Sequence, residues 1–112
     1  MIRGGVAEVP VADLAVAMRF YVEALGLKLV ASDPESATLD LGGGFLVALT
    51  PAPPARPRAT LGLSVASVER SAALLENRGL ALRSEAHLGA AATTFSDPDG
   101  NTLFLVEREL AG

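Results

Sequence analysis

Cysteine is absent from the 112 residues, and there is a single histidine. Disulfides, thiolate nucleophiles and sulfur metal ligands are thereby excluded, although zero cysteine leaves the redox compartment open. Tryptophan is absent too, and four Phe with one Tyr are too few for a base-stacking platform. Nine Lys and Arg stand against thirteen Asp and Glu, a net charge of -4, with no basic run. Phosphate binding needs a basic footprint, so no nucleic-acid partner is expected. No apolar run approaches the roughly 20 residues that span a bilayer. Met1-Ile2-Arg3-Gly4-Gly5 is not followed by an apolar segment of the signal-peptide kind. These absences predict a cytoplasmic protein without a membrane partner.

What is present is a chain half hydrophobic, with Gly and Pro at unexceptional levels, as an ordered globular domain requires. Gly5 to Val11 alternates as a strand does. Asp13 stands where an N-cap belongs, and Leu14, Ala17, Met18, Tyr21, Val22 and Leu25 form an amphipathic helical stripe. Gly26 closes the helix as a left-handed residue. Leu27 to Ala31, Thr38 to Leu41 and Phe45 to Thr50 read as three strands, with Asp33-Pro34 and Gly42-Gly43-Gly44 as turns. The order is βαβββ.

Pro51-Ala52-Pro53-Pro54-Ala55-Arg56-Pro57-Arg58 follows, with four prolines in eight residues, and predicts an extended linker. After it the order restarts. Leu61, Leu63 and Val65 alternate with Thr60, Gly62 and Ser64; Ser67 caps a helix carrying Val68, Ala72 and Leu75, and Gly79 ends it. Leu80 to Glu85, Ala90 to Phe95 and Asn101 to Arg108 are the remaining strands. Between the last two, Asp97-Pro98-Asp99-Gly100-Asn101 has the chemistry of a tight turn. Val11-Ala12-Asp13-Leu14 matches Val65-Ala66-Ser67-Val68, and Gly26-Leu27-Lys28-Leu29 matches Gly79-Leu80-Ala81-Leu82. A module of about 50 residues buries too little apolar surface to be stable alone. The expected organisation is one domain over 1–112, with module one at 4–50, linker at 51–58 and module two at 59–108.

Paired βαβββ modules, the opening DLAVAMRFYVEALGLKLV and the closing FSDPDGNTLFLVE resemble the vicinal oxygen chelate superfamily. That group holds glyoxalases, extradiol dioxygenases, some epimerases, and fosfomycin- and bleomycin-resistance proteins. The resemblance covers about Gly5 to Glu107. It implies an α+β fold in which two βαβββ modules form a curved mixed sheet around a concave trough. It also implies a homodimer and a small organic ligand in the trough.

Metal-dependent members of that group carry His or Gln early on the first strand of each module, and Glu on the last. By this resemblance the corresponding positions here are Val6 and Thr60, then Ala48 and Phe104. A divalent cation needs nitrogen or carboxylate oxygen at such places. Three of the four offer no lone pair, and one threonine hydroxyl is a poor ligand. The neighbours Gly5, Ala7, Val47, Leu49, Ala59, Leu61, Leu103 and Leu105 would not restore a site under a one-residue slip. No metal and no other cofactor is therefore expected.

Strand alternation places Val6, Glu8 and Pro10 on the trough side and Ala7, Val9 and Val11 on the helix side. The ligand-binding candidates are Glu8, Thr38, Asp40, Ala48 and Thr50 in module one. In module two they are Thr60, Ser64, Thr94, Phe104 and Val106. Ala92 belongs to the same wall. Glu8 is the catalytic candidate: shielded from water, it could act as a general base or hold a cationic ligand. The plainer alternative leaves it wet and inert at a strand end or dimer seam. Asp40 carries the same claim more weakly. His87 reads as a loop or rim residue in Glu85-Ala86-His87-Leu88-Gly89, able to bond a ligand only if it overhangs the trough. Phe20 and Tyr21, at helical spacing, read as core or interface. Two function classes follow from the resemblance: a metal-free binding protein that sequesters an antibiotic or metabolite, and a metal-independent isomerase or lyase built on Glu8. A metal-dependent lyase or dioxygenase is the weaker third.

Overall fold

The computed structural model describes residues 1–53 and 57–107. They divide into two compact units, Met1–Ala59 and Thr60–Gly112. Pro54, Ala55 and Arg56 of the linker, and Arg108 at the expected end of the last strand, lie outside the described residues.

The first unit runs β1 (Gly5–Val11), α1 (Leu14–Met18), a π-helical stretch (Arg19–Ala24), β2 (Lys28–Asp33), β3 (Ser36–Gly42) and β4 (Phe45–Pro51). Its sheet has the order β1-β4-β3-β2. Strand β1 runs parallel to β4, while β2, β3 and β4 pair antiparallel. Asp13 caps α1, its Oδ1 accepting the Val16 N–H at 3.1 Å. The stripe read from the sequence continues past Met18, but its second half is wound more loosely. Leu25 N–H donates to the Phe20 carbonyl at 3.0 Å, a five-residue step that identifies the π-helix. Tyr21, fully buried, sits in this widened turn with Phe20 edge-on at 5.1 Å between ring centroids. Gly26 then takes φ +75°.

Alternation sorts the sheet as expected. Val9, Val11, Ala37, Leu39, Val47 and Leu49 are buried on one face with Ala17 and Tyr21. Their neighbours on the other face are exposed or half-buried. Burying six strand side chains of this size stabilises the unit by about 1.5–3 kcal/mol for each larger residue. Strand β2 is exposed along its whole length, and its ladder with β3 skips Val30.

The second unit runs β5 (Thr60–Ser64), α2 (Val68–Asn77), β6 (Arg83–His87), β7 (Ala90–Ser96) and β8 (Thr102–Val106), with sheet order β5-β8-β7-β6. Again the first strand pairs parallel with the last, and the others are antiparallel. Leu61, Phe95, Leu103 and Leu105 are buried with Leu75 of α2. Ser67 Oγ accepts the Arg70 N–H at 3.1 Å as N-cap. Glu107 adds a second anchor: its Oε1 accepts the Val68 N–H at 2.7 Å, placing a carboxylate against the helix N-terminus.

The sixth strand differs most from the sequence reading, while β2 runs on to Asp33 and β3 spans Ser36–Gly42. Strand β6 begins at Arg83, not Leu80, and extends to His87. Leu80 is drawn back to the helix end, its N–H donating to the Leu75 carbonyl at 3.1 Å. At the other end the β6–β7 turn needs only Leu88 and Gly89, with φ +52° and +78°. Two consecutive positive φ values belong to a tight primed hairpin turn, whose twist matches the strands it joins. Leu88 is an unfavourable occupant, since a side chain in the left-handed region costs about 1–2 kcal/mol. It is also 72% exposed, so little packing compensates. Leu88→Gly or Leu88→Asn is expected to stabilise the second unit by about 0.5–1 kcal/mol. An unchanged or lower urea midpoint would contradict this account of the turn.

Candidate functional site

The face of the first sheet turned away from the buried row is built by β1, β3 and β4. Register sets Glu8 beside Ala48 and Ala48 beside Thr38; Pro10 pairs with Thr50, and Asp40 with Leu46. All five of the expected binding residues in this unit therefore share one face. Glu8 and Thr50, with Pro10, Pro57, Arg58 and Ala59, line a cavity of about 300 Å³. That lies at the small end of ligand-pocket volumes, about 300–1,000 Å³. Glu8 is exposed in this unit. Asp40 has a local duty: its Oδ1 accepts the Gly42 N–H at 2.7 Å, where the β3–β4 ladder shifts register.

Arg58 was not among the residues singled out from the sequence. A proline-rich stretch reads as a spacer, and nothing in its letters says that its last residues border a cavity.

The equivalent face of the second sheet is filled differently. The repeat that equates Val11 with Val65 also equates Glu8 with Gly62. Register pairs Glu8 with Ala48 and Gly62 with Phe104. The two units have thus exchanged bulk: long beside short in one, glycine beside phenylalanine in the other. A Cβ at Gly62 would lie 2.6 Å from Phe104 Cζ, so the ring occupies the room that a side chain would need.

His87 covers the same ring. Its imidazole lies parallel to Phe104, centroids 4.2 Å apart and planes 3° apart. The rim placement expected for His87 is thereby corrected, because the short Leu88-Gly89 turn keeps it inside β6 and half-buried. Its Nε2 is sealed from solvent without a hydrogen-bond partner. Phe104 is 6% exposed and Thr94 fully buried, with Thr94 Oγ1 donating to the Ala92 carbonyl at 3.3 Å. These two residues, expected on an open wall, present almost no surface within their unit. Thr60 and Ser64 are exposed, and Val106 is half-buried, on that face.

The four positions at which relatives would hold an ion carry two apolar aliphatic side chains, an aromatic ring and one hydroxyl. This donor set does not fit a divalent cation. Among the described residues no three His, Asp or Glu side chains come together as a metal-binding group.

A fold of two four-stranded mixed sheets, each with a helix, and a sheet face of mixed polarity defines a class rather than a reaction. The chain belongs to the Glyoxalase/Bleomycin resistance protein/Dioxygenase superfamily, whose family model matches residues 5–105. Among solved structures it is similar to TnmS3, an antibiotic binding protein from Streptomyces sp. CB03234. The two are 29% identical, 94% of each chain is covered, and the TM-score is 0.79. A superfamily member from Sphaerobacter thermophilus DSM 20745 is 30% identical over 96% of this chain and 98% of its own, with TM-score 0.75. The bleomycin resistance determinant encoded on transposon Tn5 shares the fold at 20% identity and TM-score 0.74, covering 95% of this chain and 98% of its own. No curated protein matches the chain. No helix among the described residues is long and apolar enough to cross a membrane.

Proposed function

We propose that the chain is a metal-free small-molecule-binding protein, one domain made of both units, that sequesters an antibiotic or metabolite on the β1–β3–β4 face. The observation that carries this reading is the cavity lined by Glu8 and Thr50, two residues placed on that face by alternation alone. The side chains at the metal positions support it, because they leave no Lewis acid for glyoxalase or dioxygenase chemistry. The likeness to an antibiotic binding protein at 29% identity supports the ligand class. Function as a homodimer in the cytoplasm is part of the same proposal.

A metal-independent isomerase or lyase using Glu8 as base is the second reading, favoured by the position of Glu8 in the cavity wall. Its exposure favours binding over catalysis, since an open site does not exclude water from a reacting group.

A thermal-shift screen of antibiotics and metabolites tests the proposal. A ligand present at about 100 times its Kd stabilises by about 2.7 kcal/mol. At least one compound is expected to raise Tm, and Glu8→Gln is expected to reduce that rise without lowering the Tm of the free protein. A rise that Glu8→Gln leaves unchanged would remove the cavity from the account. Turnover of a stabilising compound, abolished in Glu8→Gln, would establish the enzyme reading instead.

A further inference from the structure

Glu8 supplies the cavity's one negative charge and Arg58 its one positive charge. The remaining wall is Pro10, Pro57 and Ala59, with the hydroxyl of Thr50. No aromatic ring lines it, so a flat ligand has nothing to stack on. A simple cation would be attracted by Glu8 and repelled by Arg58; a simple anion would meet the reverse. A ligand bearing both charges meets a complementary charge at each group. We infer that the site takes a small zwitterion, an ammonium group toward Glu8 and a carboxylate toward Arg58.

The guanidinium suits this role, because its planar donors match a carboxylate in pairs. Pro57 precedes Arg58 and Pro10 follows Glu8 by two residues, so both charges hang from backbone with a φ fixed close by. A cavity of about 300 Å³ is large enough for a short-chain amino acid. The inference rests on the binding reading given above and narrows its ligand class. Both charged residues are exposed, so affinity is modest and falls with salt.

The test uses the full chain, labelled with ¹⁵N, and the graded series β-alanine, 4-aminobutyrate, 5-aminovalerate and 6-aminohexanoate. Pentylamine and pentanoate carry one charge each and serve as comparison probes. Amide shifts at Glu8, Arg58 and Ala59 report on binding. One member of the series is expected to bind more tightly than either comparison probe, and Glu8→Gln and Arg58→Gln are each expected to weaken it about fivefold. Arg58→Gln should leave pentylamine binding unchanged or tighter, and Glu8→Gln should do the same for pentanoate. Pentylamine binding as tightly as every amino acid, with dependence on Glu8 alone, would sink the zwitterion while leaving the binding reading in place. No shift at these amides with any probe at 20 mM, about the weakest affinity two exposed ion pairs would give, would overturn the inference outright.

Discussion

Asp97→Ala is expected to destabilise the second unit by about 3–5 kcal/mol, the cost of emptying a buried, fully bonded carboxylate. Asp97 is 5% exposed and Asn101 fully buried. Its Oδ1 accepts the N–H groups of Asp99 at 2.8 Å and Asn101 at 2.9 Å, and its Oδ2 accepts Asn101 Nδ2 at 2.8 Å. The backbone closes the same turn, with Asp97 N–H donating to the Asn101 carbonyl at 3.0 Å and Gly100 N–H to the Asp97 carbonyl at 3.1 Å. Removing the carboxylate strands an amide side chain and backbone donors away from water. A domain of this size has about 5–15 kcal/mol of stability in total, so the variant would stand close to unfolding at 25 °C. Urea denaturation followed by circular dichroism measures it. Asp97→Asn should be milder, since one carbonyl oxygen can still accept from the backbone. A loss under about 1 kcal/mol for Asp97→Ala would show that water replaces the carboxylate.

Gly62→Ala should cost about 1–3 kcal/mol, although alanine ordinarily fits a strand better than glycine. The added methyl would collide with the tip of the Phe104 ring, one face of which is stacked on His87. The ring cannot tilt away without breaking that stack. Phe104→Leu removes the obstacle and itself costs about 1–2 kcal/mol by shrinking a buried side chain. In the double variant the two losses should not add: the Gly62→Ala penalty falls close to zero, a coupling of about 1–2 kcal/mol. Simple additivity would mean that the ring moves freely. The lone histidine provides a second measurement, because its imidazole resonances lose the ring-current shift when the stack opens.

Much of this architecture was legible before any coordinates, for identifiable reasons. Asp13 and Ser67 announce helix starts because short oxygen-bearing side chains satisfy free N–H groups. The alternation of Val9 and Leu39 with Glu8, Thr38 and Asp40 separates the two sheet faces, because successive strand side chains point to opposite sides. Asp97 and Asn101 spell out their turn. What stayed hidden either carries no distinctive local letters or depends on contacts between residues far apart in the chain. The π-helical stretch shares its apolar stripe with an α-helix, so letters alone do not distinguish them. Leu88-Gly89 lacks the Asn-Gly or Asp-Gly signature of a primed turn, which is why His87 reads as a loop residue. The covering of Phe104 by His87 spans three strands, and no local pattern encodes it. Arg58 meets Glu8 at the cavity wall from a distant part of the chain, a meeting that proline content does not encode.

Strand β2 lies at the rim of its sheet, and Leu29 and Val30 there are exposed apolar side chains. A flat rim of that kind is a template on which another molecule's backbone can crystallise, and fibrils grow in this way. The skipped residue at Val30 breaks the regular spacing of amides along the rim, and Lys28 sets a charge beside it. Open-ended growth by strand addition is thereby disfavoured, so the protein should stay dispersed at high concentration in spite of its greasy edge.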